Sequence, residues 1–146
     1  FTDETIGICL SAGHKTTKNI LATRAFTVSM ATEDTVVGCD YVGIESGRKV
    51  PDKFARAGFH ATKSEFVNAP LIDELPMALE CKVKSFDNGI LVGEIVNVSV
   101  DEAYLTPEGK VDVDKVAPIT YDSFNKTYVR LGAVVGRAFH DGAALK

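Results

Sequence analysis

The sequence predicts a mainly β fold, a β-barrel carrying a few short peripheral helices, and three observations point there. Residues 77–101 hold two long runs of alternating apolar and polar residues, separated by Asp87-Asn88-Gly89. Further short apolar runs lie at 6–10, 26–30 and near the C-terminus, while helical spacing is confined to brief stretches. The resulting order of strand, helix, strand, helices, long hairpin and short strand does not repeat a βαβ unit, which argues against a doubly wound sheet. The 146 residues are expected to form one domain, numbered 1–146. A chain of this size buries roughly 68–70% of its unfolded surface and builds a core without staples.

Each element has its own signal. Ile6-Gly-Ile-Cys-Leu10 reads as a buried strand. Ser11 to Thr17 is a polar turn, and 18–24 reads as a helix anchored by Ile20 and Leu21, with Thr16 or Thr17 as N-cap. Phe26, Val28 and Met30 alternate with Thr27 and Ser29 in a half-buried strand. Thr32-Glu-Asp-Thr35 supplies caps and first-turn acids for a short helix ending near Gly43. Pro51 and Gly58 bracket another helix, with Pro suited to its first turn and Gly to its end. In the long hairpin, Met77, Leu79, Cys81 and Val83 face one way on the first strand. Ile90, Val92, Val96, Val98 and Val100 are expected to do so on the second. Asn and Gly tolerate the positive φ of a tight hairpin turn. Strands of this length exceed the common 5–6 residues and suit a barrel wall. Residues 128–131 and 133–135 are short strand candidates, and the tail from Gly136 is loop-like.

Composition removes several function classes. The net charge of −4 argues against a nucleic-acid partner, which would call for a basic face. No apolar run reaches 18 residues, so no membrane-spanning helix is expected. The three cysteines, Cys9, Cys39 and Cys81, are odd in number and widely spaced. They form no disulfide framework, which points to a reducing compartment, the cytoplasm. No paired His or Cys spacing suggests a metal site, and no G-x-S-x-G suggests a serine hydrolase. Cys39 in a helix and Cys81 on an inward strand face read as inert thiols.

The chemistry-bearing segment is Ser11 to Lys18. It follows a strand and opens a helix, whose start presents free N–H groups and partial positive charge. Ser11, Thr16, Thr17, His14, Lys15 and Lys18 surround that start, a donor set suited to phosphate. The competing reading is a capped helix with solvated lysines. A P-loop is excluded, because Gly13-His14-Lys15-Thr16 lacks the G-x-x-x-x-G-K-[ST] spacing. Arg48, Lys49 and Lys53 form a second basic group, of interest if it folds beside the first.

Three stretches carry a family resemblance. The first is 6–20 with Ser11 and His14-Lys-Thr-Thr17. The second joins Cys39 to Gly58 with Asn68-Ala-Pro-Leu-Ile-Asp-Glu-Leu-Pro-Met-Ala-Leu-Glu-Cys81. The third is Gly93-Glu94-Ile-Val with Leu131-Gly-Ala-Val-Val-Gly136. In order and spacing the chain resembles the flavin reductase-like proteins of the FMN-binding split barrel, and among them the flavoredoxin-type group. The resemblance implies a Greek-key split barrel that forms a homodimer, with FMN at or near the subunit interface. It places Ser11, Ala12, His14, Thr16 and Thr17 in the stretch that holds the flavin phosphate and ribityl chain. Lys53 would reach the cofactor, and Phe139 would match a C-terminal aromatic near the flavin. The chain departs from the family pattern by having no Trp and none of the family's N-terminal strands among residues 1–146, and by Ser99 where relatives often carry His. The implied activity is an FMN-dependent reductase passing electrons from NAD(P)H or a reduced carrier to flavin, ferric iron or another acceptor. The alternative is a non-catalytic FMN electron-transfer protein of flavoredoxin type. The flavin would carry the redox chemistry, so no catalytic side chain is assigned.

Overall fold

The structure is a computed structural model and describes residues 4–146. In chain order the elements are β1 (Thr5–Cys9), α1 (Lys15–Thr23), β2 (Ala25–Ser29), α2 (Val36–Ile44) and α3 (Lys53–Arg56). They continue with β3 (Ala61–Lys63), β4 (Pro70–Ile72), β5 (Met77–Asp87), β6 (Ile90–Val100), α4 (Val113–Val116), β7 (Ile119–Asp122) and β8 (Thr127–Arg130). Strands β5 and β6 form the long hairpin that the alternation announces. Its turn holds Asn88 at φ 48° and Gly89 at φ 81°, the positive angles that a two-residue hairpin loop requires.

The central sheet is antiparallel, in the order β1-β6-β5-β2. Helix α1 connects its two edge strands. Two ribbons, β3-β4 and β7-β8, lie outside it. Among the described residues the sheet is therefore open at β1 and β2 and is not closed into the expected barrel.

The hairpin register shifts twice. Glu80 faces Asn97 but Cys81 faces Ile95, so Val96 is an extra residue on β6. Val83 faces Gly93 but Ser85 faces Val92, so Lys84 is extra on β5. Each bulge turns the side chains beyond it to the other face. This corrects the alternation expected for the second strand. Leu91, not Ile90 or Val92, is the residue sealed in the core, at 1% exposure, while Ile90 and Val98 are about half exposed.

That core joins Phe26, Leu79, Cys81, Val83 and Leu91, with Ile6, Ile8 and Leu10 from the first strand region and Ile20 from α1 packed against it. Phe26 reaches across β5 to Gly93. A Cβ at Gly93 would lie 2.4 Å from the Phe26 Cζ, so only glycine admits the ring there. Burial pushes the Cys81 thiol up to about 11, helped by the Glu80 charge, in agreement with an inert core thiol.

The opposite face of β5 does not meet solvent in its first half. Ala78 is buried and Glu80 is 0% exposed. The Glu80 carboxylate accepts from Asn97 Nδ2 at 2.7 Å and from the hydroxyls of Ser99 and Ser64. Ser64 Oγ in turn accepts from the Phe66 and Val67 amides, each at 3.0 Å. Thr27 Oγ1 donates to the Pro70 carbonyl at 2.6 Å, and Val67 and Ala69 pack on Ala25 and Val96. The segment from Ser64 to Pro70 thus covers this face through a buried carboxylate. Toward the C-terminus, 133–135 is not a strand, and Val134 and Val135 are fully exposed.

Burial alone would raise the Glu80 carboxyl, but the bonds from Ser64, Ser99 and Asn97 outweigh it and hold it below the usual range. A depressed folded value adds stability above the unfolded value of about 4.3, and this is lost as pH falls through the folded value. Glu80→Gln brings an amide N–H against donors, so urea unfolding at pH 7 is expected to show a loss of about 1–3 kcal/mol. The gap to wild type should narrow as the same titrations are moved to more acidic pH.

Candidate functional site

Beyond β1 the chain is pinned to the hairpin turn by the Leu10 amide, which donates to the Gly89 carbonyl at 2.8 Å. A tight turn comes next. The His14 amide donates to the Ser11 carbonyl at 3.1 Å, and the Gly13 amide reaches Ser11 Oγ at 3.4 Å. Thr17, 1% exposed, donates its hydroxyl to the same Ser11 carbonyl at 2.8 Å. Helix α1 then starts at Lys15, three residues earlier than its periodicity suggests. Its N-cap is His14, which makes no side-chain capping bond. This corrects the expectation that Thr16 or Thr17 caps the helix. Both lie in its first turn, and the first amides of α1 have no side-chain cap.

Facing this helix start is the C-terminal end of α2 and the loop 45–50. The Lys53 ammonium donates to the Val42 carbonyl and, at 2.7 Å, to the Glu45 carbonyl. A cation on the last carbonyls of a helix satisfies orphan acceptors and the negative end of its dipole. The loop is folded on Ser46, whose carbonyl accepts from the Lys49 and Val50 amides, both at 2.9 Å. Lys15 Nζ donates across to the Gly47 carbonyl at 3.1 Å.

Between the two walls runs a groove of about 670 Å³, within the usual range of small-molecule sites. His14, Lys15, Thr16, Asn19, Arg48 and Lys53 give it polar and basic groups. Leu10, Val42, Ile44, Pro51 and Phe54 give it apolar walls. The second basic group therefore does fold beside the first, through Arg48 and Lys53. Of the residues singled out from sequence, His14, Thr16 and Lys53 line the groove. Ser11 and Ala12 are exposed in the turn beneath it, and Thr17 is buried behind it. Phe139 is not among the lining residues. It is 109% exposed and holds φ 61° in the C-terminal segment. Sequence reasoning missed Asn19 and the α2 wall. Asn19 follows Lys15 by one helical turn, a spacing that would have placed it on the same face. Nothing local in Val42 or Ile44 marks a groove wall.

Comparison with known proteins identifies the family. The family model described as flavin reductase like domain matches residues 1–124. The chain belongs to the flavin reductase-like domain family. Flavoredoxin of Desulfovibrio vulgaris (Miyazaki F) superposes with a TM-score of 0.89 at 34% identity, over 94% of this chain and 75% of that one. Flavoredoxin from Methanosarcina acetivorans gives 0.87 at 29% identity, over 97% and 76%. An uncharacterized protein of Aquifex aeolicus (strain VF5) is 32% identical over 108 residues, 71% of this chain. The chain spans 55% of that relative's length.

The Lys53 contacts carry a structural consequence that needs no ligand. Lys53→Met keeps the stem and removes the ammonium from two carbonyls. Thermal and denaturant unfolding are expected to register a loss of about 1.5–3 kcal/mol, the usual range for hydrogen bonds to a charged group.

Proposed function

We propose that the chain is an FMN-binding oxidoreductase of flavin-reductase type, taking electrons from NAD(P)H or a reduced carrier and delivering them to flavin, ferric iron or another acceptor. The observation that carries the reading is the helix start of α1, without a side-chain cap, opening onto a groove lined by Lys15, Thr16 and Arg48. Free helix amides, a hydroxyl and cations are the donor set that a phosphate takes. The apolar walls from Leu10, Val42, Ile44, Pro51 and Phe54 suit a flat ring system that must be kept from water. The residues present therefore fit the group.

In this reading Thr16 and the first α1 amides hold the phosphate, His14 and Asn19 flank it, and Ser11, Ala12 and Thr17 fix the turn that aims them. Lys53 holds the opposite wall in place and presents its stem to the groove. A bound flavin supplies hydride acceptance and one- or two-electron transfer. The chain supplies binding, orientation and exclusion of water, and no side chain is assigned a proton-transfer role. The free thiols of Cys9, Cys39 and Cys81 support a reducing, cytoplasmic setting. Among the described residues, no helix is long and apolar enough to cross a membrane.

A second reading, an electron carrier without turnover of its own, is favoured by the likeness to two proteins named flavoredoxins. NAD(P)H oxidation by the protein with added FMN separates the two: turnover supports the reductase, and binding without turnover supports the carrier.

If Thr16 contacts phosphate, Thr16→Ala should weaken FMN about ten- to a hundredfold and riboflavin, which has no phosphate, far less. Fluorescence titration of both flavins checks this, and equal losses would remove the phosphate assignment.

The same reading includes a homodimer. Val134, Val135, Phe139 and Leu145 leave an almost fully exposed apolar C-terminal segment, the kind of surface that marks an interaction site. Light scattering should give about twice the 15.7 kDa chain mass. A monomer at every concentration would exclude it.

A further inference from the structure

The groove is bridged near its mouth by one side chain. Lys15, the first residue of α1, reaches 32 positions along the chain to the Gly47 carbonyl at 3.1 Å. Gly47 sits between two lysine stems. A Cβ there would lie 3.4 Å from Lys15 Cδ and 3.6 Å from Lys53 Cε. The two ammonium groups are not equivalent. That of Lys53 is partly buried and bonded to two carbonyls at the end of α2, so it belongs to the frame. That of Lys15 is bonded to Gly47 at an exposed position. An ammonium carries three donors, so one bond to Gly47 leaves it able to take further acceptors from the groove it lines.

We propose that Lys15 is the clasp of the groove: it ties the 45–50 loop to the start of α1 in the ligand-free protein, and with a phosphate-bearing ligand in place it holds ligand and loop together. The phosphate-bearing ligand rests on the FMN reading above. The tie between Lys15 and Gly47 does not. A bond from an ammonium to phosphate is charge-assisted and roughly twice as strong as a neutral one. The ligand therefore anchors the ammonium, and the anchored ammonium steadies Gly47. Loop order and anion binding are then coupled, and the coupling acts equally in both directions. Lys15 is a positioning residue as well as a ligand contact, and the loop reports its state.

The amides of Arg48, Lys49 and Val50, all bonded to Ser46, are the reporters. Hydrogen exchange at these amides is measured for wild type, Lys15→Met and Lys15→Arg, with and without saturating FMN, while flavin absorbance is recorded. Without ligand, Lys15→Met is expected to exchange about 2- to 10-fold faster than wild type, the range for loss of one hydrogen bond. Lys15→Arg, which keeps a donor, should restore most of the protection. FMN should slow exchange of the loop in wild type and much less in Lys15→Met. Unchanged ligand-free exchange in Lys15→Met would overturn the clasp. Equal protection of the loop by FMN in both proteins would overturn its coupling to the ligand. Failure of the flavin reading shows separately, as no change in FMN absorbance with wild type. Inorganic phosphate then replaces FMN as the probe, and the ligand-free comparison still decides the tie.

Discussion

The paired bulges of the β5-β6 hairpin govern the rest of the molecule. One extra residue on each strand, Val96 and Lys84, lets two strands of 11 residues end level at the Asn88-Gly89 turn. Between the bulges the inward set on β6 becomes Gly93 and Ile95, with Leu91 beyond. Gly93 then lies where the Phe26 ring can cross the sheet, and Leu91 pairs with Ile8 on the strand that leads to the groove. Because the turn also receives the Leu10 amide, the hairpin fixes where β1 ends and the polar turn before α1 begins.

The two faces of the sheet are closed by different physics. On the α1 side, apolar packing suffices. On the other, a charge is taken out of water with no cation beside it among its hydrogen-bond partners, and Ser64, Asn97 and Ser99 replace its hydration. Ser64 makes the arrangement directional. Both of its lone pairs are taken by backbone amides, so its hydroxyl can only donate, and Glu80 must offer it an acceptor oxygen. The segment from Ser64 to Pro70 is thus tied to one buried strand carboxylate, by a bond that is stronger when that carboxylate is ionised.

Two lysines both line the groove and tie its walls. Lys53 completes the end of α2 and lines the site, and Lys15 starts α1 and crosses to the facing loop. A basic run beside a helix start would ordinarily be read either as solvated charge or as a ligand site. Here the ammonium groups are already engaged by carbonyls, so the groove walls are preorganised. Preorganisation of this kind lowers the ordering cost of binding.

The sequence by itself determined the elements whose signals are local. These include the hairpin around Asp87-Asn88-Gly89, the short helix bracketed by Pro51 and Gly58, and the polar turn at Ser11 to Thr17. It also marked His14, Thr16 and Lys53, which the fold brings to one groove. Periodicity could not locate the bulges, because an extra residue on a strand leaves composition unchanged and reverses only the facing of the residues beyond it. That is why Leu91 displaced Ile90 and Val92 from the core. Nor could it foresee that Glu80, written as the polar half of an alternation, is covered by a segment over ten residues upstream. The cap of α1 and the bonds of Lys53 and Lys15 were likewise decided by tertiary structure, since each depends on carbonyls or amides that only the folded chain brings within reach. Local pattern specifies what a residue is able to do, and long-range contact selects which of those things it does.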